Sequence, residues 1–241
     1  MDFETEGSML CKLKKFFKRT RKMPKSSEDK VILSYGDSII RESDMNILEG
    51  PHWLNDRIIT FYFEYLYEKE FQSSSKLAFI SPEVSQFLKF ASSQDLVIFL
   101  EPLNLTEKEL VVMAVNNSQD LERPGGSHWS LLMFSMQART FYHFDSSSGM
   151  NFDAANQLAS MLHSYMTKNS LEKFDLKVIE VQQTLQQKNG HDCGVHVLCN
   201  ALHATRYVFL HGHCDTLEKL SEDIVKSKRN EMIDLIISLK T

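Results

Sequence analysis

Cys193 ends a polar, glycine-flanked run, Gly190-His191-Asp192-Cys193-Gly194, and opens an apolar one, Val195-His196-Val197-Leu198-Cys199. That change predicts a loop running straight into a helix, with the cysteine at the junction. Backbone N–H groups at a helix N-terminus favour a thiolate, the nucleophilic form of the side chain. Gly194 leaves room beside it for a substrate backbone. The plainer alternative is a small buried hydrophobe, which suits Cys199 inside the helix. A thiol that attacks a carbonyl needs a base, and the base needs a group to orient it. His128 precedes the apolar run Trp129–Phe134, and Asp145 follows Arg139–Phe144. The two runs read as a hairpin about Ser135–Ala138. With a four-residue loop there, residues whose numbers sum to 273 face each other, so His128 lies opposite Asp145 on one face. Nine histidines also offer accidental pairs, and His143 and His196 fit a structural role. Gln187, in the loop leading to Cys193, meets a third need. Its amide and the Cys193 backbone N–H can stabilise a developing oxyanion. Gln182, Gln183 and Gln186 make the same stretch readable as an ordinary polar loop.

These groups must be held by a scaffold. Val31–Tyr35 reads as a short strand. Trp53 to Phe71 is rich in apolar and aromatic residues at helical spacing, with Asn55 or Asp56 as its cap. Ser81-Pro82-Glu83 opens a second helix, because proline is tolerated in a first turn. Leu110–Val115 is a β-branched apolar strand. Asn116–Ser127 is polar and ends in Pro124-Gly125-Gly126, the composition of a flexible loop. Phe152–Lys168 predicts a helix and Leu176–Val181 a strand. A long helix should start at Cys193, and a last amphipathic one covers roughly Leu217–Leu239. No internal repeat is visible. The sum is an α+β chain with one sheet at its centre and helices packed around it.

Composition narrows the classes of function. At 241 residues the chain suits one sizeable core. No apolar run reaches the length of a transmembrane helix. Lys12, Lys14, Lys15 and Lys18 break up any signal-peptide core, which points to the cytoplasm or nucleus. Cysteines at 11, 193, 199 and 214 make no C-x-x-C pair and no disulfide framework. Residues 1–30 hold nine Lys/Arg and five Asp/Glu, about +4, so the rest of the chain carries about −9 to reach the total of −5. An acidic body argues against nucleic acid as the main partner and suits a basic protein. Residues 1–29 read as a basic, disordered extension, or as a nuclear-targeting segment, and 30–241 as the folded catalytic domain. His211-Gly212-His213-Cys214-Asp215 holds ligand types for zinc, but no second cluster completes a tetrahedral site, so no metal is expected.

Taken together, Gly126-Ser127-His128-Trp129-Ser130-Leu131-Leu132, Phe144-Asp145-Ser146, and Gln187 through Asp192-Cys193-Gly194 resemble the signature of the Ulp/sentrin-specific cysteine proteases, in the same order. Trp53-Leu54-Asn55-Asp56 is also similar to that family, and the likeness covers roughly residues 31–240. Phe79-Ile80-Ser81-Pro82-Glu83-Val84 and Phe99-Leu100-Glu101-Pro102-Leu103 resemble its deneddylase branch. The Arg-Trp-Thr stretch typical of the SUMO-directed branch is not found. The long basic N-terminal segment departs from the compact deneddylase pattern.

The resemblance implies a papain-like (Ulp-type) fold. It implies hydrolysis after the C-terminal Gly-Gly of the neddylation modifier, from its precursor and from targets such as cullins. Cys193 is then the nucleophile, His128 the acid and base, Asp145 its orienting group and Gln187 an oxyanion donor, with no cofactor and with a monomer sufficing. Trp129 and Trp53 should roof a channel that admits only glycines, unless they are simple core residues. Asp56 should pair with a basic residue of the modifier's tail, unless it is only the helix cap. Asn117–Ser127 should act as a gating loop. The alternatives are a SUMO-specific protease and a modifier-binding module without catalysis.

Overall fold

A computed structural model describes residues 29–120, 125–169 and 173–240. The expected N-terminal extension therefore lies almost wholly outside the described residues. Val31–Tyr35 (β1) and Ser38–Arg41 (β2) pair antiparallel as a separate hairpin. Glu42–Glu49 (α1) follows, then Asp56–Tyr65 (α2), which runs on into a π-helical turn at Leu66–Glu70. Leu77–Ile80 (β3), Pro82–Leu88 (α3), Ser93–Leu100 (α4) and Leu110–Asn116 (β4) come next. Trp129–Ser135 (β5) and Thr140–Phe144 (β6) form the main hairpin. Phe152–Asn169 (α5), Val178–Glu180 (β7), Cys193–His211 (α6) and Glu222–Ser238 (α7) complete the order.

β3 to β7 make one five-stranded mixed sheet in sequence order. β3 is parallel to β4, and β7 to β6, while β4, β5 and β6 are antiparallel neighbours. Every residue of β4 is buried, because both faces of the sheet are covered. Leu110, Val112 and Ala114 face a core shared with α2, α6 and α7. Val111, Met113 and Val115 face a second core with α3, α4 and α5. The α+β architecture read from the sequence is the one observed.

Two local features explain why the site is well held. Asn55, not Asp56, caps α2: its Oδ1 accepts from the Ile58 N–H at 3.0 Å. Asp56 is the first helical residue, where a carboxylate favours the helix dipole. The main hairpin differs from expectation in register. Ser135 faces Thr140 and Leu131 faces Phe144, so facing numbers sum to 275 rather than 273. The loop is Met136–Arg139, with Arg139 at φ +49°. A slip of two leaves every side chain on its expected face, because strand side chains alternate with period two. His128 and Asp145 therefore share a face, but as diagonal neighbours and not as a facing pair.

Candidate active site

The strand ends and the helix start meet at one end of the two interior strands β5 and β6. His128 immediately precedes β5, and Asp145 immediately follows β6; both are buried. His128 Nε2 lies 2.6 Å from Asp145 Oδ1. Cys193, the first residue of α6, interacts with His128 and favours its charged form. The three side chains that the sequence singled out thus form one chain of contacts, carboxylate to imidazole to thiol.

The electrostatics match that geometry. Burial alone would lower the His128 pKa, but the interactions with Asp145 and Cys193 outweigh it and push it up to about 9. Burial would raise Asp145. Hydrogen bonds from His128 and from the Asn151 and Ser147 N–H groups (both 2.8 Å) instead hold it below the usual carboxylate range. The imidazole is therefore kept protonated beside the Cys193 side chain at the start of α6. His196, one turn along α6, is in the opposite state. Burial, offset only in part by Asp192, lowers it to about 4, so it stays neutral. Cys199 and Cys214 are pushed up to about 12, chiefly by burial, and are inert.

Gln187 is oriented on three sides. Its N–H donates to Ser146 O at 2.8 Å, and its Oε1 accepts from the Ser146 hydroxyl at 2.8 Å. Its Nε2 donates to Asn189 O at 2.7 Å, which uses one of its two hydrogens. Because Ser146 holds the carbonyl end, the amide end is turned toward the loop that carries Cys193.

The indole of Trp53 is half exposed and donates to Gly190 O at 2.6 Å, three residues before Cys193. Trp129 Nε1 donates to Leu54 O at 3.0 Å. The two rings thus bracket the Trp53-Leu54 segment against the cysteine loop. Asp56 is half-buried and accepts the Arg57 N–H at 2.9 Å. The stem of the Asn117–Ser127 loop is closed by Asn117 Oδ1, which accepts from the Ser127 and His128 N–H groups. Residues 121–124 of that loop lie outside the described set.

One expectation is corrected. Gly194 does not leave space open for a substrate. A Cβ there would lie 2.7 Å from Leu54 Cβ and 3.1 Å from Leu54 Cγ. The missing side chain is what lets the Trp53-Leu54 segment lie against α6. Gly194→Ala should therefore destabilise the protein by about 1–3 kcal/mol, the usual range for overpacking. Thermal unfolding of the two proteins side by side checks this, and an unchanged Tm would show that Leu54 yields freely.

Arg229 of α7 escaped the sequence reading. It binds Asp192 Oδ1 through Nε (3.0 Å) and Nη2 (2.8 Å), and also donates to Ile47 O and His52 O. It ties the end of α1 and the approach to Trp53 onto the N-cap of α6. No local pattern marks an arginine on a helix as such a tie. The run at His211–Asp215 does not converge on one point. Its His213 sits 3.6 Å from Asp215, while Cys214 is buried.

A thiol–imidazole–carboxylate constellation at a helix N-terminus beside a mixed sheet defines a papain-like cysteine protease. The Ulp1 protease family, C-terminal catalytic domain, matches residues 52–239, and the chain belongs to that family. It is similar to human sentrin-specific protease 8, at 38% identity over 213 residues, 88% of this chain and 98% of that protein. It is also similar to NEDD8-specific protease 1 of Arabidopsis thaliana, at 39% identity over 181 residues, 74% of this chain and 77% of that protein. Among solved structures, the C-terminal Ulp1 protease domain in complex with Smt3, the yeast ortholog of SUMO, shares the fold. Its TM-score is 0.68 at 21% identity, covering 93% of this chain and 95% of that one. The family and fold expected from the sequence motifs are those found.

Proposed function

We propose that this protein is a cysteine protease that cleaves after the C-terminal Gly-Gly of the ubiquitin-like modifier NEDD8. In this reading it both trims the precursor and releases the modifier from lysines of targets such as cullins. It acts as a monomer in the cytoplasm or nucleus. The observation that carries the chemistry is the buried His128, hydrogen-bonded to Asp145 and interacting with Cys193 at the start of α6. The substrate class rests on the likeness to proteases named for NEDD8 and sentrin.

The Cys193 thiolate attacks the carbonyl carbon of the last glycine. Gln187 Nε2 and the Cys193 N–H receive the oxyanion. The C–N bond breaks as His128 gives its proton to the departing amine, leaving a thioester. Water then attacks that thioester, His128 takes the water's proton, and the Cys193 sulfur leaves. Asp145 holds the imidazole through both halves. The Trp53 and Trp129 rings flank the approach and favour a tail without side chains. In the same reading Asp56 pairs with a basic residue of that tail.

Trp53→Ala should raise KM for a Gly-Gly-terminated conjugate roughly tenfold, the cost of truncating one aromatic anchor, with kcat changed little. An unchanged KM would make Trp53 purely structural. The identity of the modifier is tested by covalent trapping with C-terminally electrophilic NEDD8, SUMO and ubiquitin. Labelling by NEDD8 alone, lost in Cys193→Ala, supports the proposal. Preferential labelling by SUMO would keep the chemistry and overturn the substrate. Labelling by none would leave a binding module.

A further inference from the structure

The face of the hairpin that carries His128 and Asp145 carries a second diagonal pair, one rung further from its open end. His143 Nε2 lies 2.8 Å from Ser130 Oγ, and its Nδ1 lies 2.7 Å from Glu180 Oε2 on β7. His143 is fully buried and Ser130 nearly so. Asn151, which precedes α5 and is 1% exposed, joins the two pairs. Its backbone N–H donates to Asp145 Oδ2 at 2.8 Å. Its Nδ2 lies 3.2 Å from the carbonyl oxygen of His128, 3.0 Å from Val115 O and 3.0 Å from Ser130 Oγ. One residue therefore grips the backbone of the histidine and the carboxylate of the aspartate together.

We propose that Asn151, oriented by Ser130, His143 and Glu180, is the positioning residue that fixes the His128–Asp145 pair relative to Cys193. This rests on the catalytic reading above.

The polarity of the chain is consistent throughout. In the neutral tautomer whose Nδ1–H donates to Glu180, Nε2 accepts the Ser130 hydroxyl hydrogen. That turns a lone pair of Ser130 Oγ toward the Asn151 amide. The amide cannot be turned over, because Oδ1 would then meet the Val115 and His128 carbonyl oxygens. Asn151 Oδ1 is itself buried without a hydrogen-bond partner among the described groups. A buried acceptor left unmatched is costly, and here the cost accompanies two amide N–H donors shared among three acceptors at the site. The same wiring disfavours a metal reading. Ligand atoms of His143, Asp145 and Glu180 lie within 4.8 Å of one another. The hydrogen bonds already described engage all three side chains.

The test uses Asn151→Ala, Ser130→Ala, their double variant and the milder Glu180→Gln, in the full chain. Two readouts are needed. The first is kcat and KM on a fluorogenic Gly-Gly modifier conjugate. The second is the pH dependence of Cys193 alkylation by iodoacetamide, which needs no substrate. Asn151→Ala should lower kcat about 10- to 100-fold with KM within about twofold, the scale of a misplacement of roughly 1 Å. Its alkylation should slow at neutral pH, because His128 no longer holds one position beside the thiol. Ser130→Ala should lose about three- to tenfold, and Glu180→Gln a few-fold. Adding Ser130→Ala to Asn151→Ala should cost less than the product of the single losses, because both act through one amide. Folded variants with wild-type kcat, or losses that leave the alkylation profile unmoved, would overturn the proposal. A wild-type Cys193 that alkylates like a free thiol would instead sink the catalytic reading beneath it.

Discussion

Cys193→Ala should remove turnover, by roughly 10⁵-fold or more on any Gly-Gly conjugate, while leaving binding of the proposed modifier intact. The size of the loss follows from the mechanism. Without the sulfur there is no thioester, and the remaining groups can only assist direct attack by water. Nucleophile deletions in such constellations cost on this order because the members act as a unit. Binding survives because the proposed docking elements, Trp53, Asp56 and Trp129, are supported elsewhere. Trp53 leans on Gly190 O and Trp129 on Leu54 O, neither of which the substitution touches. Turnover by stopped assay and affinity by titration calorimetry, on the same preparation, separate the two effects. Cleavage that persists in the alanine variant would rule out Cys193 as nucleophile. Loss of binding together with loss of turnover would place the cysteine in the fold of the binding face.

Asp145→Asn should lower kcat about 10²- to 10⁴-fold and change the pH dependence as well as the rate. The carboxylate accepts from His128, from Ser147 N–H and from Asn151 N–H. An amide cannot accept at both ends: with its oxygen toward His128 and Ser147, its Nδ2 faces the Asn151 N–H, and the imidazole loses the negative charge that holds its proton. His128 is held at about 9 in the folded protein, above its unperturbed value near 6.5. A raised folded pKa means that the interaction stabilises the protein fully below about 6.5, and that this contribution is lost as pH rises through about 9. Asp145 has the opposite sign: its lowered pKa gives stability above the ordinary carboxylate range that is lost on acidification. The Tm difference between wild type and variant should therefore be widest from about pH 5 to 7 and narrow toward pH 9 and above. In the wild type, kcat/KM should fall above about pH 9 as His128 loses the proton it must give to the leaving amine. In the variant that alkaline limb should move down toward the ordinary histidine range. A limb that stays in place while kcat drops would mean that Asp145 orients the ring but does not set its charge.

The chemistry of the site was legible because its signals are local. A polar run that turns apolar at one cysteine marks a helix start. Period-two alternation places His128 and Asp145 on the same face whether the hairpin register is the expected one or the observed one two residues away. The long apolar runs marked β4, β5 and α5 to within a residue or two, and the start of α6. Short elements escaped: β2, β3, α1 and α4 span eight residues or fewer, too short for a period to stand out.

Other features depend on which surfaces pack together, and no local pattern encodes that. The space beside Gly194 belongs to Leu54, 140 positions earlier in the chain. Arg229 meets Asp192 only because α7 lies across the start of α6. Asn151 looks like any residue before a helix until folding sets its amide against Val115, His128 and Ser130. Sequence by itself determined which groups could react, since residue type and strand or helix period are fixed residue by residue. Tertiary structure decided what holds them in place, since a hydrogen bond between distant segments exists only after both have been buried against the same sheet.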